Sequence, residues 1–225
     1  NMHMGESALA DTGRNFGLSG AALKWIAMIT MLIDHIGAVV MEYGLYYQGG
    51  AETFRRLLDS GNGQWLYTLQ RLMRMVGRPS FLLYSFLLVE GFFHTRSRKR
   101  YTFQMLLFAM ISEIPFDLAA SNRWFYLGYQ NVFFEFLIGL TVLWGMEQAV
   151  IFGKTPLTVE AGKIFAVVLG CMAAVFIQAD YDYIGIIIIA AFYEFHASRA
   201  GRSLSAAVLG GLETLDLNFG IGALA

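Results

Sequence analysis

The sequence predicts an all-α fold, a polytopic transmembrane helix bundle of about seven spans with interfacial helices in its first loop. Two observations lead there. Of 225 residues, 56% are hydrophobic and only 15% are charged, where a soluble domain carries about 25% charged residues. Apolar runs suited to a hydrocarbon core of about 30 Å also recur along the whole chain rather than once near its start.

In chain order the runs are Leu18 to Leu45, Pro79 to Phe93, Phe103 to Leu118, Val132 to Val150, Ile164 to Ile177 and Ile184 to Phe195. A seventh begins near Leu204 and reaches Ala225 through Gly210, Gly211, Glu213, Asp216 and Gly220. It ends without a polar flank, so the natural C-terminus is expected further on. Asn1 to Met4, with His3, read as a cloning remnant before a native start at Met4. Residues 1–17 are then a tail and residues 18–225 a single membrane domain. Gln48 to Gly63 with its four glycines, Ser121 to Arg123, and Gly153 to Pro156 punctuate the runs as turns do. Thr53 to Leu58 and Trp65 to Val76 are amphipathic; the second sets Arg71 and Arg74 among Trp65, Leu69, Leu72, Met73 and Val76, the pattern of an interfacial helix.

A net charge of −1 gives no basic field of the kind that tracks nucleic acid, and no nucleic-acid partner is expected. The lone Cys171 lies in an apolar run, where packing accounts for it. Orientation follows the Lys/Arg bias. With the N-terminus cytoplasmic, that side holds Arg14, Lys24, Arg96, Arg98, Lys99, Arg100, Lys154, Lys163, Arg199 and Arg202, ten of the sixteen basic residues. Arg55, Arg56, Arg71, Arg74 and Arg78 of the first loop run against this count.

Ionisable groups at bilayer depth cost a few kcal/mol and are functional candidates by default. Asp34-His35 lies about two thirds of the way along the first run. Lys24 stands eleven residues before His35, on the same helix face and roughly 16 Å away, so the two can line one channel without touching. Snorkelling explains Lys24 equally well, and an interhelical hydrogen-bonded pair is the bland reading of Asp34-His35. Glu90 and His94 share a face at i, i+4; a helix-end salt pair would explain them. The cluster Arg96, Arg98, Lys99 and Arg100 suits a positive-inside stop, an anionic lipid, or the phosphates of a soluble cosubstrate. Glu113 and Asp117 flank Pro115, which removes a backbone donor and opens the helix. Asn131 and Glu135 open the next run, and Asp180 and Asp182 precede the sixth. In this orientation His35, Glu113, Asp117, Asn131, Glu135, Asp180 and Asp182 converge toward the outer half.

No His-x-x-x-His, Glu-x-x-His or Cys pair has metal-ligand spacing, so no metal is expected. Nucleophile-elbow motifs and glycine-rich phosphate loops are absent too. A histidine beside an aspartate suits general-base work on an amine or hydroxyl.

Several stretches together resemble the TraX family, membrane proteins named for N-terminal acetylation of conjugative pilin. They are Leu23 to Ala27 through Asp34-His35-Ile36-Gly37; Gly77-Arg78-Pro79 with Phe86, Glu90-Gly91-Phe92 and His94-Thr95; Ser112 to Asp117; Gln130 to Phe133; and Asp182-Tyr183-Ile184-Gly185. The family's closing Tyr-Asn-Gly turn and Tyr-Pro-x-His pattern do not occur in these 225 residues. More distantly, the Lys24 to His35 spacing is similar to the opening helix of the transmembrane acyltransferases, and Arg71-Leu-Met-Arg74 is similar to their Arg-x-x-Arg element.

The resemblance implies a bacterial inner-membrane enzyme that moves acetyl from acetyl-CoA to an amine or hydroxyl acceptor, such as a pilin-like N-terminus or an envelope glycan or lipid. In that picture Lys24, Arg96, Arg98, Lys99 and Arg100 hold the CoA phosphates. Arg78 steadies developing negative charge, and His35, oriented by Asp34, is the general base. Glu90, His94, Glu113, Asp117, Asn131, Glu135 and Asp182 face the acceptor. A small proton-coupled transporter or channel, and a non-catalytic subunit of a conjugation complex, are the competing readings.

Overall fold

The computed structural model describes residues 19–47, 52, 55–56, 59–121, 123–126 and 128–198. Helix α1 (Gly20–His35) starts where the Ser19 side chain accepts the Ala22 N–H at 3.1 Å. From Ile36 to Tyr47 the same rod continues with the wider π-helical turn, a geometry that is rare and concentrates at functional sites. Helix α2 (Gly61–Gly77) is capped by Ser60, and α3 (Pro79–His94) follows after Arg78 alone. Arg78 keeps helical angles, φ −53° and ψ −43°, although a residue before proline disfavours them.

Helix α4 (Arg98–Ser121) carries Pro115 inside it. Helix α5 (Val132–Phe152) is capped by Asn131, and α6 (Pro156–Ile177) by a Thr155/Thr158 capping box. Last comes α7 (Asp182–Glu194). The described residues form no sheet; one parallel bridge joins Gln130 to Ala179.

Among the described residues, five stretches are long and apolar enough to cross a membrane: Gly20–Met41, Gly61–His94, Arg98–Ala119, Val132–Phe152 and Pro156–Ile177. That is fewer than the sequence predicts. The seventh run, from Leu204, lies outside the described residues, as do parts of Thr53 to Leu58. The expected sixth span is α7, whose 13 residues reach only about 20 Å. Nor is Trp65 to Val76 a separate surface helix. It belongs to α2, which runs on into the second span and packs against α1, burying Gln70 and Gly77.

Helix α7 is apolar on nearly every face because most of it is buried, with Tyr183 and Ile187 left on its exposed side. Ile186, Ile188 and Ile189 have no exposed surface, and they share a core with Phe81, Leu88 and Phe92 of α3 and Phe136, Leu140 and Leu143 of α5. Around this centre the outward faces are strongly apolar, with Leu32 61% exposed and Phe176 88%, as lipid requires of a surface with no water beside it.

Helix α3 continues α2 in one stretch, and pairs that join one helix to another gather the polar side chains at two ends. Arg98–Glu147, Lys163–Glu194 and His196–Glu90 pair at one end; Arg74–Asp34, Tyr129–Asp180 and Asn131–Glu113 pair at the other.

Candidate functional site

A cavity of about 390 Å³ opens at the second end, where α1 changes to the π-helical turn. Its polar lining is Asp34, His35, Arg74, Ser80, Ser112, Tyr129, Asn131 and Asp180; Met31, Ala38, Val39, Phe116 and Val132 contribute apolar wall. That size suits a small-molecule group rather than a folded segment.

Asp34 and His35 both line the cavity, but Asp34 does not orient His35. Adjacent helix residues point about 100° apart. Asp34 Oδ2 instead accepts from Arg74 Nη1 at 2.6 Å, across to α2, with both side chains three quarters or more buried. Gly77 makes this approach possible. A β-carbon there would overlap the Asp34 side chain, standing 2.7 Å from its Cγ. His35 Nδ1 lies 2.9 Å from the Met31 carbonyl on its own helix. A carbonyl only accepts, so Nδ1 carries the proton and Nε2 of the neutral ring carries the lone pair.

Of the residues expected to face an acceptor, Asn131 lines the cavity. Glu113 stands behind it, accepting from the Asn131 side-chain amide and, at 3.3 Å, from its backbone N–H. Asn131 also donates to the Ala109 carbonyl at 3.1 Å and caps α5 through Phe133 N at 2.9 Å. This one side chain therefore ties α4 to the start of α5, and Asn131→Ala is expected to cost about 2 kcal/mol of stability, measured by denaturation in detergent.

Asp117 is buried, at 1% exposure, and accepts the Tyr126 backbone N–H at 2.6 Å. The carboxylates flanking Pro115 thus hold the chain that follows α4 rather than reaching into the cavity. Glu135 has no exposed surface and lies under Gly185 of α7. Asp182 is exposed at the start of α7, with φ at +48°.

Glu90 and His94 sit at the opposite end, away from His35. Glu90 lies 3.0 Å from His196 Nε2 and 3.6 Å from His94 Nδ1, fastening α3 to the chain after α7. Arg98 is half-buried, paired with Glu147 at 3.0 Å and 4.2 Å above the Phe92 ring. Arg96, Lys99, Arg100 and Lys24 are exposed. Arg78, the basic residue expected to steady developing negative charge, is near the cavity, within electrostatic range of Asp180. Among the described residues no three His, Cys, Asp or Glu side chains gather as metal ligands would.

Arg74, Ser80, Tyr129 and Asp180 complete the cavity. Sequence reasoning placed Arg74 on an interfacial face and counted Asp180 only among the converging carboxylates. Nothing in the sequence marked Tyr129, which is brought to Asp180 by the Gln130–Ala179 bridge and the 3.0 Å bond from Gln130 N to the Gln178 carbonyl. Tyr129 donates its hydroxyl to Asp180 Oδ1.

Burial holds the Asp180 carboxyl above the usual carboxylate range, against the opposing pull of Tyr129, Arg78 and Arg74. The Tyr129 phenol is pushed up by burial and then by Asp180. The folded state therefore holds the Asp180 proton more tightly than the unfolded chain does. Its contribution is fully present below the ordinary aspartate pKa and declines as pH rises through the raised one. Asp180→Asn should flatten that part of the stability profile, measured by denaturation at several pH values.

A family model described as TraX protein matches residues 19–218. The chain is also 32% identical over 137 residues to a protein of Dichelobacter nodosus named "Probable fimbrial assembly protein FimC, serogroup H1", an alignment covering 58% of this chain and 47% of that one. The chain thus spans about half the length of that relative. No solved structure matches it. Since the family match takes in every helix that builds the cavity, together with the Asp34-His35, Gly77-Arg78-Pro79 and Gln130-Asn131 stretches, the chain belongs to the TraX family.

Proposed function

We propose that this protein is an integral membrane acetyltransferase that carries an acetyl group from acetyl-CoA to an amine or hydroxyl acceptor, with His35 as the general base. The observation that carries the reading is His35 itself: an imidazole lining the cavity, its Nδ1 tied to the Met31 carbonyl so that Nε2 is left to accept a proton. Fixing the tautomer through the other nitrogen is how general-base histidines are prepared. The relative's name, a fimbrial assembly protein, favours a pilin-like peptide N-terminus as acceptor over an envelope glycan or lipid.

In this reading His35 takes the proton from the acceptor as its nitrogen or oxygen attacks the thioester carbonyl. The carbon–sulfur bond breaks, and the sulfur leaves as the CoA thiol once it receives that proton. Arg74, held in place by Asp34, supplies positive charge beside the developing oxyanion, with Arg78 behind it. The exposed cations Lys24, Arg96, Lys99 and Arg100 suit the donor's phosphates. From Arg98 to Ser112 along α4 is about 21 Å, so the donor would lie extended between that end and His35. We further propose the bacterial inner membrane, with the N-terminus cytoplasmic, on the ten-to-six division of basic residues.

The test is release of CoA thiol from acetyl-CoA by the purified protein in detergent, with a panel of amines and hydroxyls. Acceptor-dependent release supports the reading. A folded, full-length natural protein that neither binds nor cleaves acetyl-CoA would sink it.

A further inference from the structure

We propose that the loop joining α4 to α5 is a preformed anchor in the headgroup layer of the membrane, with Trp124 and Phe125 inserted and Arg123 facing lipid phosphate, and that it fixes the mouth of the cavity at that depth. The anchor needs nothing from the reaction proposed above. Trp124 and Phe125 are 68% and 74% exposed, with Arg123 and Tyr126 exposed beside them. Two adjacent large rings left bare mark a contact surface.

The course of the chain names the contact. One span, Arg98–Ala119, ends just before the loop, and the next, Val132–Phe152, begins just after it. Extended out and back, such a loop would reach about 20 Å into water. It is held down instead. Asp117 lies inside the first of these spans, is buried, and accepts the Tyr126 backbone N–H at 2.6 Å. That bond sets Tyr126 at the depth of the span's last turn, and Trp124 and Phe125, two and one residues before it, stay close to that depth. A second tie follows, since the Phe116 and Tyr129 rings stack with centroids 5.5 Å apart. The bare rings therefore stand where the neighbouring surface of α4 is already apolar, at the exposed Ile114 and Leu118.

Rings with one polar edge collect at the boundary between hydrocarbon and water, and the Trp124 indole N–H and the Tyr126 hydroxyl are such edges. Arg123 completes the pattern. Its guanidinium lies 5.6 Å from the centre of the Tyr126 ring, which places a positive charge beside the aromatic group, where a lipid phosphate complements it. Phe116 and Tyr129 also line the cavity, so the loop and the cavity wall are one piece. With the loop at headgroup depth, a ligand enters the cavity from the membrane surface rather than from bulk water.

The test uses the full chain in phosphatidylcholine vesicles. Trp25→Phe, Trp65→Phe and Trp144→Phe together leave Trp124 to report alone. Its fluorescence should be quenched by lipid brominated near the glycerol end of the acyl chains, less by lipid brominated near the chain ends, and little by iodide in the water. Asp117→Ala should open the same tryptophan to iodide. Strong iodide quenching in the unaltered loop, with none from brominated lipid, means that the loop stands in water as a surface for a soluble partner, and overturns the proposal. Quenching that Asp117→Ala leaves unchanged overturns the preformed anchor, because the Tyr126 tie would not set the depth. If the triple variant does not fold, a nitroxide on Phe125→Cys in a Cys171→Ser background gives the same reading. Dissolved oxygen should relax it more than a water-soluble nickel complex does, and the reverse order overturns the proposal. A nitroxide at Ala119→Cys, on the cavity lining, should report the same depth; a label there that reads as fully in water overturns the link between anchor and cavity.

Discussion

His35→Gln should lower acceptor-dependent CoA release by about 10²- to 10⁴-fold, the usual worth of a general base, with little change in Tm. Glutamine fills a similar volume on α1 but has no lone-pair nitrogen to take a proton. His35 is exposed, and its ring bonds the Met31 carbonyl of its own helix, so the fold loses little with it. Circular dichroism and size exclusion in the same detergent check that the variant is folded. An unfolded His35→Gln would show that the imidazole holds the π-helical junction instead.

Gly77→Ala should be the most damaging single methyl group in the described chain. Its β-carbon would press on the Asp34 side chain, 2.5 Å from Oδ1 and 2.7 Å from Cγ. The overlap reaches the Asp34 β-carbon itself, which no rotamer moves, so α2 must shift off α1. Overpacking costs about 1–3 kcal/mol, and loss of the Arg74 partner adds to it, since breaking a largely buried pair strands a charge. The expected result is a protein with sharply lowered Tm and no activity. Asp34→Gly in the same chain removes the clash but leaves Arg74 unpaired, so it should recover only part of the Tm and none of the activity. A Gly77→Ala protein as stable and active as the wild type would mean that this helix crossing does not set the site.

Much of the architecture is legible in hydropathy, because lipid-facing and core-facing positions are both apolar and only length separates spans. That same property hides the role of α7. Ile184 to Phe195 reads as a span, yet Ile186, Ile188 and Ile189 are the centre of the protein, and a one-dimensional pattern cannot tell burial in protein from burial in lipid. The Trp65 to Val76 face reads as interfacial because Arg71 and Arg74 interrupt it; in space Arg74 is turned inward by an aspartate 40 residues away.

Asp34 and His35 were visible as expensive groups at depth, and they do meet at one cavity. Glu113, Asp117 and Glu135 were visible on the same ground. Asp117 and Glu113 are held by backbone N–H groups and an amide of neighbouring segments, and Glu135 packs under Gly185, none of which leaves a mark in sequence. Glu90 and His94 share a helix face as their spacing requires, but the helix points that face at His196, at the far end. Tyr129 and Asp180 come together through a bridge between two turns, a contact that no local pattern foretells.

The central claim, that His35 sits where the acetyl donor and its acceptor meet, is tested most directly by donor protection of its imidazole. Diethyl pyrocarbonate modifies unprotonated imidazole nitrogen, and peptide mass spectrometry reads each histidine separately. The account predicts that His35 is modified in the free protein, that CoA release is lost in step with that modification, and that acetyl-CoA slows it at His35. Equal modification of His35 with and without acetyl-CoA, while CoA release continues, would contradict it.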